Sequence, residues 1–134
     1  MNSRLVVDTS AVSTLLAVRP GHLAIERKLA HVNFVSAITI GELLRGAYRA
    51  SWGAARVAEM RESIAARFVV LDCTEPVAEI WAELVTACNA SGVQPSFNDA
   101  WIAATAVVAD CPVVTTDRDF TSMARHYPAL RVLP

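Results

Sequence analysis

Short apolar runs alternate with helical patterns along the whole chain, and this alternation most constrains the fold. The strand-like runs are Arg4–Val7, Phe34–Val35, Phe68–Leu71, Cys111–Val114 and Leu130–Leu133. Between them apolar residues recur at helical spacing, without the short turn signals of β-hairpins. Strands that alternate with helices are typical of a parallel sheet covered by helices. The pattern predicts an α/β fold with a mostly parallel central sheet, built as one domain over residues 1–134.

Two of the predicted helices bear on function. In the helix that Ser36 begins, apolar residues fall at i, i+3, i+4 and i+7, which puts Glu42, Arg45 and Arg49 on the opposite face. The segment Ala100–Ala109 is apolar on every side, which predicts a helix buried all round. Asp99 stands at the start of this second helix. Glu42 is therefore predicted outside the core, and Asp99 at the edge of it.

The cysteines and histidines exclude several kinds of site. Three cysteines and three histidines are scattered along the chain, without the spacing of a disulfide framework or a zinc site. We interpret the cysteines as small buried side chains. No serine–histidine pair is indicated either. Any metal ion would then be held by oxygen.

Four acids are candidates for such a site, although each has a structural explanation when taken alone. Asp8, Asp99 and Asp117 each lie where a helix is predicted to begin, and acids are favoured there by capping and by the helix dipole. Glu42 is spaced to pair with Arg45 on a solvated helix face. Considered one at a time, these acids do not distinguish a site from ordinary helix capping.

The predicted fold brings the acids together. Asp8 and Asp117 directly follow strands, and the carboxyl ends of parallel strands meet at one edge of a sheet. At about 5 Å, each pair of carboxylates repels by roughly 3 kcal/mol at an effective dielectric of about 20. Such a cluster needs protons or cations to neutralise it, and hard divalent cations prefer carboxylate oxygen. The arrangement predicts a magnesium or manganese site.

The overall charge and hydrophobicity restrict the partners. The net charge of −1 lacks the basic excess typical of nucleic-acid binding, but one bound divalent ion would change the local balance. Charges interrupt every apolar run before the roughly 20 residues of a membrane span, so no membrane segment is predicted. The start of the chain reaches Asp8 after three apolar residues, too few for a secretory signal, which predicts a cytoplasmic protein.

Four motifs in this order resemble PIN-domain ribonuclease toxins of the VapBC toxin–antitoxin systems. They are VVDTSA at Val6–Ala11, IGEL at Ile40–Leu43, NDAWIAATA at Asn98–Ala106 and VTTDRDF at Val114–Phe120. The resemblance spans nearly the whole chain and implies a three-layer sandwich with a central sheet flanked by helices. It also implies an endoribonuclease that cuts cellular RNA, with a small antitoxin as its partner.

By that resemblance the four acidic positions of the family fall on Asp8, Glu42, Asp99 and Asp117, with Asp119 as a candidate fifth. Thr9 and Thr116 are candidate hydroxyl contacts around the metal. Many relatives have asparagine in the last motif and a longer spacer to the next acid. The sequence therefore leaves open whether Asp117 or Asp119 approaches the metal more closely.

The chemistry predicted for these acids is hydrolysis of a phosphodiester by metal-activated water, which leaves 5′-phosphate and 3′-hydroxyl ends. Arg45, Arg49 and Arg118 are candidate contacts to the RNA backbone, with an ordinary surface role as the alternative. The high hydrophobic fraction, 54%, also predicts a homodimer.

Two other functions compete with this prediction. In a phosphatase of the haloacid dehalogenase type, Asp8 would be the nucleophile, but such enzymes need an aspartate where this chain has Ser10. A catalytically silent RNA- or protein-binding module with the same fold is the main alternative.

Overall fold

The computed structural model describes residues 3–134, so Met1 and Asn2, at the start of the segment from which a cytoplasmic protein was predicted, lie outside the described residues. Within this range the strands are β1 (Arg4–Val7), β2 (Val32–Ser36), β3 (Val69–Leu71) and β4 (Val113–Val114). The helices are α1 (Thr9–Leu16), α2 (His22–Glu26), α3 (Ala37–Arg49), α4 (Ala54–Arg67), α5 (Glu75–Ala90), α6 (Phe97–Val108) and α7 (Arg118–His126). Across residues 3–134, none of these helices has the length and hydrophobicity needed to span a bilayer.

The sheet has the strand order β3-β2-β1-β4, and all its pairings are parallel. From β1 the chain moves to β2 and then to β3 on one side, and it later returns to place β4 on the other side of β1. The strand order therefore reverses between β1 and β4. In open parallel sheets, ligands bind at the carboxyl edge beside such a reversal. Asp8 and Thr115 are the residues that directly follow β1 and β4 at this point.

Alternating side chains of the strands build a core on each face of the sheet. Val6 and Val113 belong to one core, together with buried residues of α5, α6 and α7. Val7 and Val114 belong to the other core, which α1 and Ile64 of α4 also line. Because successive strand residues point to opposite faces, the sheet is covered on both sides. The result is a three-layer sandwich, which confirms the fold class predicted from the sequence.

Most predicted elements are present, with two differences. After the break at Pro20 and Gly21, the sequence predicts a helix from roughly His22 to Ala30, but α2 ends at Glu26 and the chain continues as turns. The strand expected over Leu130–Leu133 is reduced to a single parallel bridge between Val132 and Val113. Val113 N donates to Arg131 O and Leu133 N donates to Val113 O, both at 2.9 Å, so this segment still lies beside β4. Pro134, which follows Leu133, has no backbone N–H with which to extend the pairing.

Candidate active site

Three carboxylates meet at the carboxyl edge of the sheet. Oxygen atoms of Asp99, Asp117 and Asp119 all lie within 4.8 Å of one another. Asp99 is in the first turn of α6, Asp117 is the N-cap of α7, and Asp119 is in the first turn of α7. Helix N-termini carry partial positive charge, which offsets part of the repulsion between these acids. The structure thus brings together three of the five acids that the sequence proposed.

The local sequence fixes both helix starts. Ser96 Oγ accepts a hydrogen bond from Asp99 N at 3.4 Å, so serine caps α6 and the carboxylate of Asp99 is left free. Asp117 Oδ1 accepts from Asp119 N at 2.9 Å, so one oxygen of Asp117 caps its own helix. Asp99 and Asp117 are half-buried, whereas Asp119 is exposed. The cluster therefore has an inner side and a solvent side.

Asp99 has the most perturbed electrostatics in the cluster. Burial, together with the negative charges of neighbouring acids, raises the pKa of its carboxyl to about 7. The contributing charges, in decreasing order, belong to Asp117, Glu42, Asp8 and Asp119. The other four acids proposed from the sequence therefore all act on Asp99, including the two outside the group of three. A carboxyl with such a pKa in a cluster of acids is typical of a functional site.

Asp8 lies beneath this cluster, and its exposed fraction is only 2%. Its Oδ1 accepts from Ala11 N at 2.9 Å, its Oδ2 accepts from Thr115 Oγ1 at 2.6 Å, and Ser10 Oγ lies 3.0 Å from both oxygens. Burial raises the pKa of Asp8, while the hydrogen bonds of Thr115, Ala11 and Ser10 lower it and only partly compensate. Asp8 thus caps α1 and also contributes its charge to the site.

Glu42 lies half-buried on α3 and does not form the ion pair with Arg45 that was the alternative to a role in the site. Its Oε1 accepts a 2.7 Å hydrogen bond from Thr9 Oγ1 of α1. Thr9 Oγ1 also lies 2.9 Å from Thr39 Oγ1, which is one turn before Glu42 on α3. Glu42 itself is therefore turned toward α1 and is less exposed than its helical spacing indicates, because α1 packs against α3.

The donor set fits a hard divalent cation. The clustered groups are carboxylates, and no cysteine or histidine within residues 3–134 joins them. At the observed spacing each pair of ionised carboxylates repels by about 3 kcal/mol at an effective dielectric of about 20. Partial protonation of Asp99 relieves this in the metal-free protein, and a divalent cation would relieve it more completely.

The three arginines proposed from the sequence lie on the surface. Arg45, Arg49 and Arg118 are exposed, and none of them has an ion-pair partner within residues 3–134. Arg118 directly follows Asp117 at the start of α7, whereas the other two are one and two turns beyond Glu42 on α3. Their charges are thus available to an anionic ligand.

Sequence reasoning missed two hydroxyl groups at the site, Thr115 and Thr39. Thr115 Oγ1 donates to Asp8 and accepts from Asp117 N at 2.8 Å. Thr115 follows β4 directly, as Asp8 follows β1. Residues that follow neighbouring parallel strands lie close together, and this rule could have identified Thr115 from the sequence. Of the hydroxyls that were proposed, Thr9 contacts Glu42, and Thr116 Oγ1 donates to Ser10 Oγ at 2.9 Å.

Comparison with known proteins identifies the family. The family model for the PIN domain matches residues 5–126, which include all five acids. The chain belongs to the PIN domain family. The resemblance seen in the motifs is thereby confirmed.

Relatives of this PIN domain are ribonucleases and toxin–antitoxin proteins. Ribonuclease VapC4 of Mycobacterium tuberculosis is 39% identical over 90 residues, which cover 66% of this chain and 69% of that protein. The structure of VapBC-5 from Mycobacterium tuberculosis, described as a member of the VapBC family of toxin–antitoxin systems, superposes with a TM-score of 0.73 at 26% identity and covers 98% of both chains. VapBC-1 from nontypeable Haemophilus influenzae gives a TM-score of 0.79 at 22% identity over 97% of this chain and 96% of its own, and shows the same fold.

Proposed function

We propose that this PIN domain is a divalent-metal-dependent endoribonuclease and the toxin of a type II toxin–antitoxin pair. The observation that carries the proposal is the group of carboxylates of Asp99, Asp117 and Asp119, within 4.8 Å of one another at the carboxyl edge of the sheet. Membership of the PIN family and the identity to a protein named as a ribonuclease support the same activity.

The metal would be Mg²⁺ or Mn²⁺, held by Asp99, Asp117 and Asp119 together with Asp8 and Glu42. When bound, a divalent ion supplies a Lewis acid that activates water and stabilises charge on a phosphodiester. The roles of the protein groups follow from their contacts. Asp8 accepts hydrogen bonds from three donors, more than any other of the five acids, whereas the exposed Asp119 lies on the solvent side.

The exposed arginines would position the RNA. Arg45 and Arg49 continue the helix face of Glu42 away from the acids, so they are placed to bind phosphates that flank the cleaved bond. Arg118 lies beside Asp117 and is placed to bind a phosphate closer to the acids. Contacts of this kind orient the backbone without reading its sequence, so they do not define which RNA is cut.

The proposed partners are an antitoxin and a second copy of the chain. A solved relative is a member of the VapBC family of toxin–antitoxin systems, which supports a small antitoxin as a partner. We propose that the antitoxin covers the acidic edge. We also propose that this protein acts in the cytoplasm, where cellular RNA is available to it. A small reading frame adjacent to its gene would support the antitoxin as a partner, and its product should relieve the growth arrest that we expect from expression of this chain alone. An arrest that persists would exclude that product as the antitoxin.

The proposed activity is tested with purified protein and a 5′-labelled structured RNA in Mn²⁺ and in EDTA. We expect cleavage only with Mn²⁺, and products with 5′-phosphate and 3′-hydroxyl ends. Cleavage that persists in EDTA would exclude the metal-dependent mechanism. RNA binding without cleavage in either condition would identify the chain as a catalytically silent binding module.

A further inference from the structure

The carboxylate of Glu42 is held by two threonine hydroxyls in series. Thr9 Oγ1 donates to Glu42 Oε1 at 2.7 Å, and Thr39 Oγ1 lies 2.9 Å from Thr9 Oγ1. Thr39 is fully buried, whereas Thr9 and Glu42 are half-buried. The three side chains thus lead from the protein interior toward the acidic cluster.

The direction of both hydrogen bonds follows from the number of available protons. An ionised carboxylate only accepts hydrogen bonds, so the single hydroxyl proton of Thr9 is used on Glu42. Thr39 must therefore be the donor in the bond between the two hydroxyls. The order is fixed as Thr39 to Thr9 to Glu42, and reversing it would leave the carboxylate without this donor.

The position of Thr39 on its helix makes its hydroxyl available for this contact. Threonines in helix interiors commonly donate to the carbonyl four residues earlier, as Thr105 does to Trp101 O at 2.8 Å. Thr39 is the third residue of α3, and the residue four positions earlier is Val35 of β2. No carbonyl of its own helix stands at that distance, so the hydroxyl of Thr39 bonds across to α1 instead.

We propose that Thr39 and Thr9 are positioning residues that hold Glu42 in the orientation required for metal binding. A glutamate has three rotatable side-chain bonds, and ordering it costs conformational entropy that a fixed donor reduces. With Oε1 held by Thr9, Oε2 is the oxygen left for a cation. The charge of Glu42 contributes to the raised pKa of Asp99, so Glu42 lies near the cluster. This inference rests on the proposed metal-dependent function.

The inference assigns Thr9 a different role from the one that the family resemblance suggested. Thr9 was a candidate for direct contact with the metal. In the structure its one proton is donated to Glu42, and Thr39 donates to its oxygen. Thr9 therefore acts on the metal through Glu42, and a direct contact and an indirect one predict different results in a double-mutant experiment.

The first measurement is the dissociation constant for Mn²⁺, determined by calorimetry on the full chain. Thr39→Val removes the donor and keeps the side-chain shape, and we expect binding to weaken by about fivefold, as for loss of one hydrogen bond near a charge. Thr39→Ser keeps the hydroxyl and should bind like the native protein. Thr105→Val is the matched control, because this buried threonine donates only to its own helix. Thr9→Val gives the same test if Thr39→Val does not fold.

The second measurement repeats Thr39→Val in a Glu42→Gln background. If the threonines act through Glu42, the substitution should weaken Mn²⁺ binding no further there, because the charge that they position is already gone. An equal loss in both backgrounds, or a loss no larger than that of Thr105→Val, would overturn the inference while the proposed function stands. If the native protein binds no Mn²⁺ at all, both the proposed metal site and this inference are wrong.

Discussion

The hydroxyl of Thr115 donates a 2.6 Å hydrogen bond to Oδ2 of Asp8 and so joins the carboxyl ends of two neighbouring strands. The same oxygen accepts from Asp117 N at 2.8 Å. Among the groups that lower the pKa of Asp8, this hydroxyl has the largest effect, although burial still raises the pKa overall. One short side chain therefore connects the most buried acid to the start of α7.

Replacement of Thr115 by valine should shift the pH dependence of metal binding. Without the hydroxyl, the pKa of Asp8 rises further, and the ionised carboxylate that binds a cation forms only at higher pH. We expect the acidic limb of Mn²⁺ binding to move to higher pH by about one unit. A shift of this size corresponds to the free energy of one hydrogen bond to a charged group. Titrations with Mn²⁺ at several pH values between 5 and 8 measure this shift. Thr115→Ser should retain the native profile, and a superimposable profile for Thr115→Val would contradict the assignment.

The acids should differ in their importance for RNA cleavage. Asp8→Asn, Glu42→Gln and Asp99→Asn each remove a metal-binding charge while keeping shape. We expect each to lower cleavage by more than about a hundredfold, beyond the effect usual for groups that only orient a metal ligand. Single-turnover cleavage rates in Mn²⁺ measure this effect. If a variant keeps at least a tenth of native activity, the acid that it replaces does not belong to the site.

The last motif provides a separate comparison. Asp119→Asn should reduce cleavage less than Asp117→Asn, because Asp119 is exposed and water compensates for the lost charge more easily. Asn at position 117 can still cap α7, so the loss there should reflect the charge and not the helix. Equal or reversed losses would show that Asp119 is the closer ligand.

The pKa of Asp99 predicts how the stability of the metal-free protein depends on pH. The folded-state pKa of Asp99 is about 7 and the unfolded value is 3.8. Between these pH values, the folded protein therefore holds a proton on Asp99 that the unfolded chain has lost. The contribution of Asp99 to the free energy of unfolding is therefore favourable at low pH and is lost as pH rises toward 7. In EDTA, the Tm of Asp99→Asn minus the Tm of the native chain should increase as pH rises from 5 to 8. A constant Tm difference across this range would show that the carboxyl is not perturbed.

We also expect the protein to be a homodimer. Large apolar side chains are exposed on the isolated chain, among them Val18, Leu23, Val69 and Phe97, each more than half exposed. Burial of such side chains against a second copy removes apolar surface from water. Sedimentation velocity at micromolar concentration should give the mass of two chains. A single monomeric species at that concentration would contradict the prediction.

The sequence predicted the layers of the fold because its hydrophobic periods are clear. Ala100–Ala109 is apolar on all sides, and α6 is accordingly packed between α5 and β2 with a run of fully buried residues. Ends of elements were harder to predict, as at Leu130–Leu133, where a single bridge between Val132 and Val113 replaces the expected strand. Periodicity carries no information on that point.

For the site, the order of the motifs identified the acids but not the hydroxyls that hold them. Thr115 and Thr39 contact Asp8 and Thr9 across large distances in sequence, and such pairs are set by how the helices pack. Glu42 illustrates the same limit. Its spacing from Arg45 suggested a surface ion pair, whereas the packing of α1 against α3 gives it Thr9 as a partner.

The central claim is that the carboxylates of Asp99, Asp117 and Asp119 form a divalent-metal site, and thermal melting tests it most directly. A cation that binds only the folded state stabilises it by about 2.7 kcal/mol at a hundredfold excess over Kd, which raises Tm by several degrees. We predict this rise for the native protein in Mn²⁺, a much smaller change in Na⁺ at matched ionic strength, and a diminished response in Asp99→Asn. A native Tm that is the same in EDTA and in excess Mn²⁺ would contradict the metal site.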